Sequence, residues 1–306
     1  MSQASVTAPS WVIVGTGAVG SILGARLIQQ GQSVHFVLRS PAESQPMQLI
    51  VTGHTEFSAP IKTHTAHSLQ LIPPQAVWVF AVKAWQLEDA LSAHGPALQQ
   101  AQHIIISHNG LGAAEAMLQQ LNPTQLIDWV TTHGGWRHSP QHTEHSGLGQ
   151  SWLGFRHSSP RPTAPTWWPL FANALPPAEW HTNIALRRWH KLAINCAINP
   201  LAALANAPNG ELQAPQYQGQ LQAVCEEVAA VMAAELNLPV SASELLAQVQ
   251  QVIQATAKNI NSMLQDLRAQ RPTEIDYLNG FVHKKGRQHK VPTPVNTMLW
   301  KEITQV

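Results

Sequence analysis

Charged side chains are scarce in this chain. Of its 306 residues only 11% are Asp, Glu, Lys or Arg, against the share of about 25% that is usual in globular proteins. The 18 basic residues nearly balance the 17 acidic ones, which leaves a net charge of +1. Proteins that bind nucleic acid or anionic lipid carry a basic patch or run, and the sequence has none. We therefore expect no nucleic acid and no membrane surface among its partners.

Cysteine and long apolar runs are equally scarce. Cys196 and Cys225 cannot form a disulfide framework for a chain of this size. No apolar run approaches the roughly 18 residues of a membrane span. The opening residues MSQASVTAPS lack the basic flank and apolar stretch of a signal peptide. A cytoplasmic protein is the default expectation, and 44% hydrophobic residues suffice for a buried core.

The first half alternates apolar runs with helical patterns. Short runs rich in β-branched residues predict strands of a parallel sheet buried on both faces. These runs are residues 11–14, 34–38, 76–82, 103–107 and 125–132. A helical pattern lies between the first two runs, and Gly31 follows it as a stop signal. This order is typical of an α/β domain.

A glycine motif, Gly15-Thr16-Gly17-Ala18-Val19-Gly20, joins the first strand to the first helix. A dinucleotide fingerprint requires this placement, because the helix-start amides then face the pyrophosphate. Gly15 would allow the tight turn, Gly17 the close approach of the backbone to the anion, and Gly20 the packing of helix on strand. A glycine-rich turn with no ligand is the alternative, and the strand–motif–helix order favours dinucleotide binding.

Three polar residues follow predicted strands, where ligands bind in open α/β sheets. Arg39 stands where NAD enzymes usually place an acid for the ribose, so it favours the 2′-phosphate of NADP. An ordinary exposed arginine is the alternative. Lys83 and Asn109 are placed to meet cofactor or substrate, although a solvated lysine and an Asn-Gly turn remain open.

The segment with His138, His142 and His145 has spacings that resemble a metal site. Pro140 and two nearby glycines instead predict a loop, and no carboxylate–histidine pattern on a helix supports a metal. We expect no metal.

The second half is helical in pattern. After a proline-rich stretch at 156–177, apolar residues recur at helical spacing over 224–236 and 243–266. We therefore expect two domains, 9–181 with the sheet and 182–306 with helices only.

One helix of the second half carries an unusual polar face. Lys191, Asn195 and Asn199 are spaced i, i+4, i+8, and Pro200 is expected to end or kink the helix. An exposed polar stripe would explain them too. The face lacks the usual mixture of Glu and Lys, which favours a functional site.

The motifs together resemble those of the ketopantoate reductase (2-dehydropantoate 2-reductase) family over nearly the whole chain. The cofactor-domain matches are the glycine motif, Val82-Lys83-Ala84-Trp85-Gln86 and His108-Asn109-Gly110. The helical-domain matches are Lys191-Leu192-Ala193-Ile194-Asn195-Cys196-Ala197-Ile198-Asn199-Pro200-Leu201, Pro208-Asn209-Gly210-Glu211-Leu212 and Thr273-Glu274-Ile275-Asp276-Tyr277-Leu278-Asn279-Gly280.

This resemblance implies a fold and a reaction. The fold is α/β, an N-terminal Rossmann-type doubly wound sheet followed by an all-helical C-terminal domain of the 6-phosphogluconate-dehydrogenase-like kind. The reaction is the reduction of 2-dehydropantoate to (R)-pantoate by NADPH, a step of pantothenate and coenzyme A biosynthesis. The partners implied are a small-molecule substrate and, at most, a second copy in a homodimer.

The resemblance also assigns roles to individual residues. Lys191 matches the proton donor, which also meets the substrate. Substrate-binding positions are matched by Asn109, Asn195, Asn199, Asn209 and Ser262. Cofactor-side positions are matched by the glycine motif, Arg39, Lys83, Asn109, Gly135 and Glu274. Glu274 is otherwise readable as a common helix N-terminal acid. The alternatives are an NADPH-dependent reductase of another branched 2-oxo acid and a non-enzymatic NADPH sensor, which would not need Lys191, Asn195 and Asn199.

Overall fold

The chain folds into two compact units, each around its own hydrophobic core. The computed structural model describes residues 8–41, 46–157 and 163–306. The first unit comprises Met1–His108 and Ala114–Ala185, and the second comprises Asn109–Ala113 and Leu186–Val306. The division at residues 185 and 186 lies slightly beyond the expected one at 181 and 182. Within the proline-rich stretch, residues 158–162 lie outside the described part of the chain.

The first unit contains one sheet and the helices that cover it. The strands described are β1 (Trp11–Val14), β2 (Val34–Val37), β3 (Met47–Gly53), β4 (Phe57–His64), β5 (Val77–Phe80), β6 (His103–Ile106), β7 (Leu126–Thr131), β8 (Gly134–Arg137), β9 (His142–Gly147), β10 (Ser151–Phe155) and β11 (Ala178–Trp180). The helices described are α1 (Ala18–Gln29), α2 (Leu87–Leu98), α3 (Glu115–Leu118) and α4 (Trp168–Ala174). Short 3₁₀ helices span Ala66–Leu71, Ala84–Gln86 and Pro123–Gln125.

Six parallel strands form the centre of the sheet in the order β7-β6-β5-β1-β2-β4. This is the doubly wound Rossmann order, and the winding reverses between β1 and β5. The strands β1, β2, β5 and β7 are buried along their whole length, as their continuous apolar sequences predict. The Rossmann-type fold expected from the sequence is confirmed.

Further strands extend the sheet at both edges. Strand β10 pairs antiparallel with β7, whereas β3, β9 and β8 follow β4 at the other edge. The loop expected around the histidines is wrong in part, because His142–Gly147 is strand β9. Ile50 of β3 pairs with His142 in parallel register, and β8 pairs with the other side of β9. Tertiary pairing therefore makes a strand of a polar segment.

The second unit is built from helices among its described residues, which confirms the expected all-helical domain. Its α-helices are α5 (Ile184–Leu204, of which the first two residues belong to the first unit), α6 (Pro215–Leu236), α7 (Ala242–Ala255), α8 (Ser262–Arg268), α9 (Asn279–His289) and α10 (Pro294–Gln305). Short 3₁₀ helices span Asn209–Gln213 and Ile275–Tyr277.

One expectation about helix bounds is wrong, and one of the two outcomes expected at Pro200 is not found. The helical pattern at 243–266 is interrupted between α7 and α8, because Asn261 caps α8 through the Leu264 amide at 3.0 Å. The Gly210 amide also donates to the Ala257 carbonyl and holds the intervening turn. Helix α5 does not end at Pro200 but continues to Leu204.

A short segment after β6 packs with the helical unit. Leu111 is buried in the core of that unit, and its amide donates to the Tyr277 carbonyl at 2.8 Å. Gly110 has φ +79°, and a Cβ there would collide with the same carbonyl. Glycine at 110 thus lets Asn109 belong to the helical unit.

Candidate active site

The glycine motif lies at the point where the winding of the sheet reverses. Gly15 has φ +76°, a conformation that glycine adopts at no steric cost. A Cβ on Gly17 would lie 2.9 Å from the Ala81 carbonyl oxygen, and one on Gly20 would lie 3.0 Å from Ile13 Cγ2. Each glycine is therefore required by backbone geometry or packing, and the close neighbour of Gly17 is the segment after β5.

The start of α1 is shaped to receive an anion. Its N-cap residue is Gly17, no side chain caps it, and its first turn contains no acid. The first backbone amides of a helix have no partner inside the helix, and they carry the positive end of its dipole. A pyrophosphate fits such a terminus. The residues present therefore fit the dinucleotide that the motif predicts.

Two cations stand at the ends of the strands that flank β1. Arg39 is exposed just beyond β2, and Lys83 is half-buried just beyond β5. Both β2 and β5 pair with β1 in parallel, so their carboxyl ends lie on either side of the glycine motif. This placement suits cofactor phosphates.

Gly135 of strand β8 packs against the start of α1. A Cβ at this position would lie 2.9 Å from Ile22 Cδ1 and 3.0 Å from Ala18 Cβ. Two residues further along β8, Arg137 Nη2 donates to Thr16 Oγ1 of the glycine motif at 3.4 Å. The sequence offers no signal for Arg137, because its proximity to the motif depends on the pairing of β8 at the sheet edge.

The polar face of α5 is buried or half-buried within the protein. Asn199 is buried, and Lys191 and Asn195 are half-buried, so an exposed polar stripe does not describe them. Burial lowers the pKa of Lys191 from 10.5 to about 8, and the nearby charge of Glu274 opposes that decrease. Lys191 is thus an ammonium group whose pKa lies close to neutral pH.

Glu274 is the acid of this cluster. It is 5% exposed, and its Oε2 accepts a hydrogen bond from Asn109 Nδ2 at 2.9 Å. It stands at the N-cap of the 3₁₀ helix Ile275–Tyr277 but makes no capping hydrogen bond with its side chain. Its side chain is therefore directed to Asn109 and to the charge of Lys191, not to a helix terminus.

A small pocket of the helical unit brings several of these residues together. Lys191 is not among the residues that line it. The lining residues are Asn199, Ser262, Met263, Asp266, Glu274 and Leu278. Asn195 does not line the pocket but lies on the face of α5 between Lys191 and Asn199. An ammonium, a carboxylate and several amides can together bind a small oxo acid and supply it with a proton.

Asn209 is placed differently from the other predicted substrate residues. It is buried, its Nδ2 donates to Thr256 Oγ1 at 2.9 Å, and its Oδ1 accepts from Asn261 Nδ2 at 3.2 Å. It does not line the pocket. These bonds hold the turn that precedes Ser262, so Asn209 supports the pocket through its neighbours.

Comparison with known proteins identifies the family. Two family models cover most of the chain, one described as ketopantoate reductase PanE/ApbA over residues 11–157 and the other as its C-terminal domain over residues 183–306. The chain belongs to the ketopantoate reductase family. It is therefore an oxidoreductase.

Relatives named 2-dehydropantoate 2-reductase match this chain over nearly its whole length. The 2-dehydropantoate 2-reductase of Vibrio cholerae is 38% identical over 95% of this chain and 96% of the relative. The enzyme of the same name from Escherichia coli O157:H7 is 35% identical over 95% of this chain and 93% of its own. The similarity therefore extends over both units of the chain.

Solved structures share the fold. A 2-dehydropantoate 2-reductase from Geobacter metallireducens has a TM-score of 0.84 at 24% identity and covers 96% of this chain and 99% of its own. A D-mandelate dehydrogenase with NADH and anilino(oxo)acetate has a TM-score of 0.87 at 21% identity, and the match covers 96% of this chain and 97% of its own. The ketopantoate reductase fold is therefore shared with a dehydrogenase that carries NADH.

One residue that lines the pocket was missed by sequence reasoning. Asp266 lines the pocket, is 3% exposed and accepts a charged hydrogen bond from Arg271 Nε at 3.0 Å. It lies four residues after Ser262, on the same face of α8. That spacing is the signal that could have found it.

The histidines are engaged mainly with one another and with hydroxyl groups. His133 Nδ1 lies 3.2 Å from His145 Nε2, and Thr55 Oγ1 lies 2.8 Å from His145 Nδ1. Among residues 8–41, 46–157 and 163–306, no group of His, Cys, Asp or Glu is arranged to hold a metal ion. Within the same ranges no helix has the length and apolar character needed to cross a membrane.

Proposed function

We propose that this enzyme reduces 2-dehydropantoate to (R)-pantoate with NADPH as the hydride source, in pantothenate and coenzyme A biosynthesis. The observation that carries the proposal is that the charge of Glu274, which lines a pocket with Asn199 and Ser262, acts on the buried ammonium of Lys191, whose pKa is about 8. Membership in a family of reductases supports the same reaction and sets the sensor alternative aside.

The cofactor residues supply binding and orientation. When bound, NADPH provides the hydride that reduces the C2 ketone. The glycine motif and the amides at the start of α1 hold its pyrophosphate, and Gly135 lets strand β8 pack closely against the start of that helix. Arg39 binds the 2′-phosphate, and Lys83 contacts the cofactor from the other flank of β1.

Lys191 performs the proton chemistry. Negative charge develops on the C2 oxygen during reduction, and the ammonium stabilises this charge and then donates a proton from Nζ. Glu274 keeps Lys191 protonated, because a nearby negative charge favours the charged form of the lysine. Asn109 donates a hydrogen bond to the Glu274 carboxylate at 2.9 Å and thereby orients it.

The remaining polar residues orient the substrate. Ser262 hydrogen-bonds its carboxylate, and the amides of Asn195 and Asn199 offer donors and acceptors to its hydroxyl and oxo groups. Asn209 contributes by holding the turn before Ser262.

The direct test is NADPH oxidation by the purified protein, with and without 2-dehydropantoate, repeated with NADH. Oxidation that depends on 2-dehydropantoate and is faster with NADPH is the expected result. Tight NADPH binding without turnover of this substrate would defeat the assignment of substrate while retaining the cofactor.

A second candidate is a reductase of another branched 2-oxo acid. The observation that favours it is the structural likeness to D-mandelate dehydrogenases, one of which was solved with NADH and anilino(oxo)acetate. A panel of 2-oxo acids with and without the hydroxyl group of 2-dehydropantoate separates the two candidates, because the specificity constant for 2-dehydropantoate should be the highest of the panel if the first candidate is right.

The R39A variant tests the choice of cofactor. We expect NADPH to bind about tenfold to hundredfold more weakly, because a charge-assisted contact to the 2′-phosphate is lost. NADH should bind within about twofold of its normal affinity. Equilibrium titration of both cofactors measures this directly, with R287A, at an exposed arginine near the end of α9, as the matched control. An equal loss for both cofactors would contradict the contact.

A further inference from the structure

Pro200 leaves a gap in the hydrogen bonding of α5. Proline has no N–H, so the carbonyl four residues earlier, that of Cys196, loses its helical partner. Both residues are buried, where an unpaired carbonyl destabilises the fold. Yet the helix continues to Leu204, so another group must satisfy this carbonyl.

Asn279 is that group. Its Nδ2 donates one hydrogen bond to the Cys196 carbonyl at 3.1 Å and another to Asn296 Oδ1 at 3.0 Å. The side chain is fully buried, and its Oδ1 has no partner among the described residues. The reverse orientation of the amide would place this oxygen against two acceptors, so the two donor bonds determine how the side chain is oriented.

The network behind Asn279 is anchored at the start of α10. Asn296 Nδ2 donates to Glu227 Oε2 at 2.8 Å, and the carboxylate of Glu227 also accepts the amides of Val295 and Asn296 at 2.8 and 2.9 Å. Three buried side chains on α6, α9 and α10 therefore form a series of hydrogen bonds that ends at one carbonyl of α5. A network in which each member is bound by its neighbours holds a single geometry.

The position of this carbonyl relates the network to the pocket. Cys196 follows Asn195 directly, and Asn199, which precedes Pro200, lines the pocket. Asn279 comes five residues after Glu274, and Leu278 beside it lines the same pocket. The bond from Asn279 to Cys196 therefore joins the two chain segments that carry Asn199 and Glu274.

We propose that Asn279 is a positioning residue for the reaction: it supplies the hydrogen bond that Pro200 cannot make and thereby holds Asn195 and Asn199 in register with Glu274. Asn279 itself does not line the pocket. The proposal rests on the proposed function of the pocket as the substrate site, and it adds the means by which the pocket is held.

A double-mutant cycle tests this coupling. N279L removes both donors, and P200A supplies the backbone N–H that the helix lacks. We expect N279L to raise KM for 2-dehydropantoate about tenfold to hundredfold, since small displacements of binding groups have effects of this size. NADPH affinity, measured by equilibrium titration, should stay within about twofold, because the glycine motif, Arg39 and Lys83 lie in the other unit. A merely structural role would lower the melting temperature and leave KM unchanged.

We expect P200A to reverse most of the effect of N279L on KM. In the P200A background the helix makes its own bond to Cys196, so N279L should raise KM by no more than about threefold. P96A, at a proline inside α2, makes the same change elsewhere and should rescue nothing. If N279L does not fold, N279A replaces it in the same cycle.

Two results would overturn the proposal. One is a normal KM for 2-dehydropantoate in N279L or N279A, and the other is an equal rise in KM on substitution of Asn279 with and without P200A. Failure of the proposed function would be seen in the wild-type enzyme. If it does not reduce 2-dehydropantoate but reduces another 2-oxo acid, only the assignment of the substrate is wrong, and the double-mutant cycle is then measured with that acid.

Discussion

The K191A variant is expected to reduce kcat by about 10² to 10⁴, the range for loss of a general acid. The side chain belongs to the same cluster as Glu274, whose charge acts on it. NADPH affinity should be unchanged, because the glycine motif, Arg39 and Lys83 lie in the first unit. Rapid single-turnover measurements with the bound cofactor separate the chemical step from binding.

The pH profile of the wild-type enzyme gives an independent measure of the same residue. Burial lowers the pKa of Lys191 to about 8, and only the protonated form can donate a proton. Activity should therefore be lost as pH rises through about 8, and this alkaline limb should be absent from the residual activity of K191A. K301A, at an exposed lysine of α10, is the matched control and should behave as wild type. Full turnover by K191A would remove Lys191 from the mechanism.

The E274Q variant is expected to reduce kcat/KM by about tenfold to hundredfold. Glutamine keeps an oxygen for the hydrogen bond from Asn109 and removes only the negative charge. Because that charge raises the pKa of Lys191, its loss should move the alkaline limb below pH 8. The variant therefore changes both the rate and the pH at which the rate is lost.

The control for E274Q is E302Q, which neutralises an exposed acid on α10 of the same unit. It should leave both the rate and the alkaline limb in place, since exposed charges at a distance are screened by salt. An E274Q enzyme with a normal rate and a limb still near pH 8 would show that the carboxylate does not act on Lys191.

Local patterns were sufficient for much of this protein. The continuous apolar runs predicted the parallel centre of the sheet, because a strand that is buried on both faces has apolar residues at successive positions. The glycine motif predicted the turn before α1, because positive φ and close packing exclude other residues. Lys191, Asn195 and Asn199 were recognised together because helical spacing puts them on one face.

Contacts between distant segments were beyond the sequence. Strand β9 is polar, and only its pairing with β3 and β8 makes it a strand. Arg137 reaches Thr16 only because β8 lies at the start of α1. Local sequence also predicts that α5 ends or kinks at Pro200, since nothing nearby in sequence reveals that Asn279 will donate a hydrogen bond to the Cys196 carbonyl.

The sequence by itself determined the order of the elements, the two kinds of domain and which residues we propose to bind a dinucleotide and donate a proton. These depend on backbone conformation, periodicity and side-chain chemistry, which are properties of a few neighbouring residues. The tertiary structure decided which of those residues meet and with what pKa. Burial of Lys191 beside Glu274, and the bond of Asn109 to that acid, arise from packing between segments more than 80 residues apart in sequence, and desolvation of this kind has no local sequence pattern.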